Sequence, residues 1–74
     1  MSEALQNLAD NIRIQRKRNN LTQEGLAEKS TISLNTIQAI ERCNGSPAWA
    51  TIELLATTLK IKPQSLMLAP RVRE

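Results

Sequence analysis

Cys43 is the single thiol of this chain, and there is no histidine anywhere in it. A reactive thiolate needs a neighbouring base to take its proton, and Cys43 has none. One cysteine excludes an intrachain disulfide, and without histidine no metal site can be completed. No glycine-rich loop that could cradle a phosphate is present, and no pair of acids falls where a cleft is expected. The sequence therefore predicts no enzyme and no cofactor. What remains is hydrogen-bonding and ionic chemistry. Arg13, Arg16, Lys17 and Arg18 lie within six residues with no acid among them. A cationic run of this kind is either a solvated helix face or a contact for a polyanion. The formal charge of +3 permits the second without establishing it.

These side chains must be positioned by something small. The chain has 74 residues, enough for one domain. Phe, Tyr and His are absent and Trp49 is the only aromatic residue, so the core must be aliphatic. That composition favours helices over strands. Leu5, Leu8, Ile12 and the stem of Arg16 recur at helical spacing and predict a first helix from about Glu3 to Arg18. Asn19-Asn20 breaks it. Thr22 suits an N-cap, and a short second helix should end near Ser30 with Leu26 and Ala27 inward. Gly25 inside it costs up to about 1 kcal/mol relative to alanine. Ser33 should cap a third helix running to about Arg42, with Ile37 and Ile40 in the core. Asn44-Gly45-Ser46-Pro47 reads as a loop, and no alternating pattern flanks it to make a hairpin. A fourth helix is expected over about Ala48–Leu59. Pro63 should open a fifth, containing Leu66, Met67 and Leu68. This gives one domain over residues 1–70 and a frayed tail over 71–74. No leader peptide or membrane-spanning run is apparent, which predicts a cytoplasmic setting.

Residues Leu21 to Arg42 read as helix, tight turn, helix. Ala27 is small where two helices must cross, and Ile32 plugs the angle after the turn. With Ile37 and Ile40 anchored inward, Ser33, Leu34, Asn35 and Gln38 are left outward at the start of the third helix. Reading the major groove of DNA requires such an arrangement, a rigid exposed helix with its first residues at the base edges.

The ordered pieces Ile12–Arg16, Leu21–Gln23, Leu26-Ala27, Ile32-Ser33, Thr36-Ile37 and Ile40–Arg42 resemble the XRE/Cro-repressor helix-turn-helix family of bacteria and phages. The resemblance covers roughly residues 5–68. It implies an all-α, five-helix, lambda-repressor-like DNA-binding domain, with the helix-turn-helix at its second and third helices. It places Ser33, Leu34, Asn35 and Gln38 at base-facing positions. Asn35 and Gln38 could each pair with adenine, and Leu34 could touch a thymine methyl. It places Gln23, Asn44 and Ser46 where relatives touch the DNA backbone, although Gln23 could instead only cap its helix, and Thr36 and Arg42 are further candidates for phosphate contact. Arg16 and Glu41 match an ion pair that joins the first and third helices. That would leave Arg13, Lys17 and Arg18 for phosphate, or for a solvated face. Three positions depart from the family pattern: Thr31 and Cys43 stand where glycine is usual, and Gly25 replaces a common acid.

Such domains usually pair. Trp49, Leu54, Ile61, Pro63, Leu66, Met67 and Leu68 are the candidate homodimer surface, or else they complete the core. The expected function is a dimeric regulator on double-stranded DNA, a repressor or autoregulator. The alternative is an interaction module whose partner is a protein, such as a toxin. RNA binding is disfavoured, because stacking aromatics are missing apart from Trp49, which reads as buried.

Overall fold

The computed structural model describes residues 3–70. The tail expected at 71–74 lies outside them. Four α-helices follow one another: α1 (Glu3–Arg18), α2 (Gln23–Ser30), α3 (Leu34–Glu41) and α4 (Trp49–Leu59). The fifth element is a 3-10 turn, Pro63–Met67, rather than the expected α-helix. Pro63 opens it, but Pro70 disfavours helical geometry at Ala69, so there is no length for a regular α-helix to propagate.

The helix starts follow from short side chains. Thr22 accepts a hydrogen bond from Gly25 N at 2.9 Å and caps α2. A Cβ at Gly25 would sit 3.3 Å from that Thr22 oxygen, which gives the glycine a packing reason beside the cap. Ser33 likewise caps α3, accepting from Thr36 N at 3.2 Å. The helix ends are less ordinary. Asn20, Thr31, Cys43 and Lys60, one after each α-helix, all have φ between 57° and 64°. After α1, Asn20 N donates to Lys17 O and Leu21 N to Arg16 O, closing a Schellman motif. Cys43-Asn44 and Lys60-Ile61 repeat this pair after α3 and α4. No glycine holds any of these four left-handed positions. Thr31 and Cys43 thus keep the backbone that their glycine-bearing relatives would favour, and their side chains accommodate it.

Packing then follows the apolar stripes. Leu8, Ile12, Leu26, Ile37, Ile40, Ile52, Leu55, Ala56, Leu59 and Leu66 form one buried aliphatic cluster. Leu21, Ala27, Ile32, Ile61 and Met67 pack against its edge. α1 lies on α3 and on the C-terminal turn, while α4 lies on α2 and the same turn. Two buried amides on α1 were not foreseen. Asn11 Nδ2 donates to the carbonyls of Leu66 (2.9 Å), Leu68 (2.7 Å) and Ser65 (3.3 Å), and Asn7 reaches Met67 O at 3.4 Å.

Candidate nucleic-acid interface

The α2–turn–α3 unit is locked from inside. Ser30 is buried, and its Oγ accepts from Ile32 N at 3.2 Å, so the tight turn carries its own hydrogen bond. At the far end of α3, buried Glu41 is a shared acceptor. Arg16 Nε donates to Glu41 Oε2 at 2.9 Å and Arg16 Nη2 to Oε1 at 3.2 Å, a bidentate pair between α1 and α3. Arg16 Nη1 also donates to Leu21 O at 3.0 Å, at the entry to α2. Gln23 Nε2 donates to Glu41 Oε1 at 3.1 Å. One carboxylate therefore ties together α1, the first residue of α2 and the end of α3. Gln23 does not cap α2, since Thr22 does.

Seen from outside, the first turns of α3 present few side chains that the fold uses. Asn35 is exposed; Leu34 and Gln38 are half-buried. Ser33 is exposed but committed to its cap, with its hydroxyl also 2.8 Å from that of Thr36. Gln23, Gln38 and Arg42 line one shallow cleft between α2 and α3. Exposed Arg42 folds back so that Nε donates to Gln38 O at 3.3 Å. Asn44 and Ser46 are exposed in the following loop, where Gly45 takes φ +90°. Lys17 and Arg18 are exposed at the end of α1.

Arg13 departs from the expectation of a phosphate ligand. Its guanidinium bridges Asp10 Oδ1 (2.7 Å) and the Glu41 carbonyl (2.6 Å), because α1 carries it over the end of α3. Among the residues expected at a dimer surface, Leu66 is corrected: it is fully buried in the chain's own core. Ile61 and Met67 are half-buried against that core, as is Pro63 at the start of the turn. Trp49 is corrected in the other direction. It is 48% exposed, not buried, because the first turn of α4 projects past the core edge, with Ala48 and Ala50 exposed beside it. Leu54 and Leu68 are also exposed, at 46% and 64%.

α3 is thus capped at Ser33, braced at Glu41 and open on its first turns. The HTH_3 family model, described as helix-turn-helix, matches residues 12–66. The chain belongs to the HTH_3, XRE-type helix-turn-helix family. Among solved HTH_3-like structures, a hypothetical transcription factor, NHTF, from Neisseria superposes with a TM-score of 0.88 at 29% identity. That match covers 96% of this chain and 84% of the other. The restriction-modification controller protein C.AhdI from Aeromonas hydrophila gives 0.79 at 31% identity, over 84% of this chain and 94% of its own. An HTH_3 family transcriptional regulator from Vibrio cholerae shares the fold at 24% identity and a TM-score of 0.79, this chain spanning 35% of its length. No curated protein matches the chain. No described helix of this HTH_3 domain is long and apolar enough to cross a membrane.

Proposed function

We propose that this chain is a transcriptional regulator that binds double-stranded DNA as a homodimer, reading a two-fold symmetric operator through α3. The carrying observation is the division of labour on that helix. Ile37, Ile40 and Glu41 are buried, while Leu34, Asn35 and Gln38 remain for solvent and ligand. Each amide of Asn35 and Gln38 has a donor for the N7 of adenine and an acceptor for its N6 amino group in the major groove, and Leu34 offers a surface for a thymine methyl. Gln23 and Arg42 beside this helix, Asn44 and Ser46 in the loop after it, and exposed Lys17 on α1 are assigned to phosphate.

Size argues for pairing. The described residues extend over 27 × 23 × 19 Å, whereas successive major grooves on one face lie about 34 Å apart. Exposed Trp49, Leu54 and Leu68 supply apolar surface for the second copy. The likeness to a restriction-modification controller protein supports a small regulator; with no effector domain read in the sequence, repression or autoregulation by site occupancy is the simplest mode for it. These exposed apolar side chains support one second reading, a regulator whose partner is another protein.

Selection from random duplex DNA at near-physiological salt tests the proposal. Recovery of a symmetric motif, with half-sites about one helical turn apart, is expected. Recovery of no motif would sink the sequence-reading function and favour the protein-partner reading.

A further inference from the structure

We infer that Asn11 is a positioning residue for self-association: its side-chain amide pins the backbone from which Leu68 reaches the partner. The inference rests on the dimer reading above. The C-terminal turn has five residues, Pro63–Met67, so its last carbonyls lack helical partners. α1 supplies those partners. Asn11, 8% exposed, donates to the carbonyls of Ser65, Leu66 and Leu68, and Asn7 to that of Met67. Four consecutive carbonyls are thereby held from one helix face. Within the same stretch Leu66 is fully buried while Leu68 is 64% exposed. Burial of Leu66 anchors one side chain, but it leaves the backbone free to rotate about that anchor. The amide contacts remove this freedom. A segment ordered before binding loses less conformational entropy on association, so its contacts translate into tighter pairing. No other described side chain is shown holding these carbonyls.

Sedimentation equilibrium on the full chain tests this, alongside circular dichroism and amide hydrogen exchange, for wild type, Asn11→Asp and Asn11→Ala. Aspartate keeps the shape but cannot donate, and it sets a carboxylate against the carbonyls. Alanine removes the amide without adding charge. The expected result is a wild type that self-associates and helical variants that do so at least about tenfold more weakly. Exchange should accelerate at residues 66–68 and stay unchanged at Leu26, Ile37 and Leu55. A wild type that associates, with folded variants within about twofold of it, would overturn the role of Asn11 and leave the dimer standing. A wild type that stays monomeric would overturn the dimer reading and this inference with it. Loss of the fold in both variants would also overturn it, because the amide would then belong to the core rather than to a local clip.

Discussion

In the proposed function, Asn35 and Gln38 separate reading from folding at the level of single side chains. Neither side chain makes a hydrogen bond that the fold requires, so their truncation should leave helicity unchanged. Asn35→Ala and Gln38→Ala should each cost about 1–3 kcal/mol of discrimination at a defined base, measured by binding to a panel of mutated operators. Glu41 is the opposite case. Glu41→Ala would strip the acceptor from Arg16 and Gln23 together and leave a guanidinium that is only 14% exposed without its partner. Loss of about 3–5 kcal/mol is expected in thermal or urea unfolding, a large share of the ~5–15 kcal/mol typical of a domain. Cationic positions were only partly legible from the sequence. Arg13 and Lys17 look alike as letters, yet α1 turns one onto Asp10 and Glu41 and leaves the other in solvent. The amides were less legible still. Asn7 and Asn11 flank the Leu8–Ile12 stripe, and nothing local tells a solvated asparagine from one aimed at backbone some 55 residues away.

At the scale of the helix, the positions of starts and stops were both readable, but the backbone conformation at the stops was not. Thr22 and Ser33 are short hydroxyl side chains placed before apolar periodicity, and each caps as its chemistry suggests. The stops are marked by no glycine. Asn20, Thr31, Cys43 and Lys60 adopt the left-handed region because the Schellman and turn hydrogen bonds demand it, against a side-chain cost of about 1–2 kcal/mol each. Of these, asparagine suffers least and β-branched threonine most. Thr31→Gly and Lys60→Gly should therefore stabilise the protein, each by about 1 kcal/mol. In a domain of this size that corresponds to a rise of about 4–8 °C in melting temperature. A fall in melting temperature for either would show that the side chain contributes more than its backbone costs. The C-terminal turn was misread because Pro63 signals a helix start equally well for an α-helix and for one 3-10 turn; Pro70 decides between them.

For the molecule as a whole, one fluorophore reports on assembly. Trp49 is the only aromatic residue and is 48% exposed, so its emission should shift to the blue as the concentration is raised through dimerisation. Emission that ignores concentration while the sedimentation coefficient changes would remove Trp49 from the interface. Binding to DNA should weaken steeply with salt, with a log–log slope of about −0.9 per phosphate neutralised. Substituting Lys17 or Arg42 should reduce that slope by roughly 1 each, whereas Leu68→Ala should leave it unchanged at a single half-site. The all-helical architecture was legible because an aliphatic chain with repeated helical stripes has few other ways to bury itself. Which apolar residues stay exposed was not, since leucines inside the core and outside it look the same until the core is full; Leu66 and Leu68 fell on opposite sides of that line. The near-absence of shared side chains between the outer and inner faces of α3 carries a consequence for how such a protein changes over time. Leu34, Asn35 and Gln38 can be exchanged without touching Ile37, Ile40 or the Glu41 brace, while Ser33 is held to its cap. If α3 reads DNA as proposed, new target sequences are reachable by single substitutions at almost constant stability, so a lineage can drift to new operators, or an engineer can re-address the protein, without rebuilding its interior.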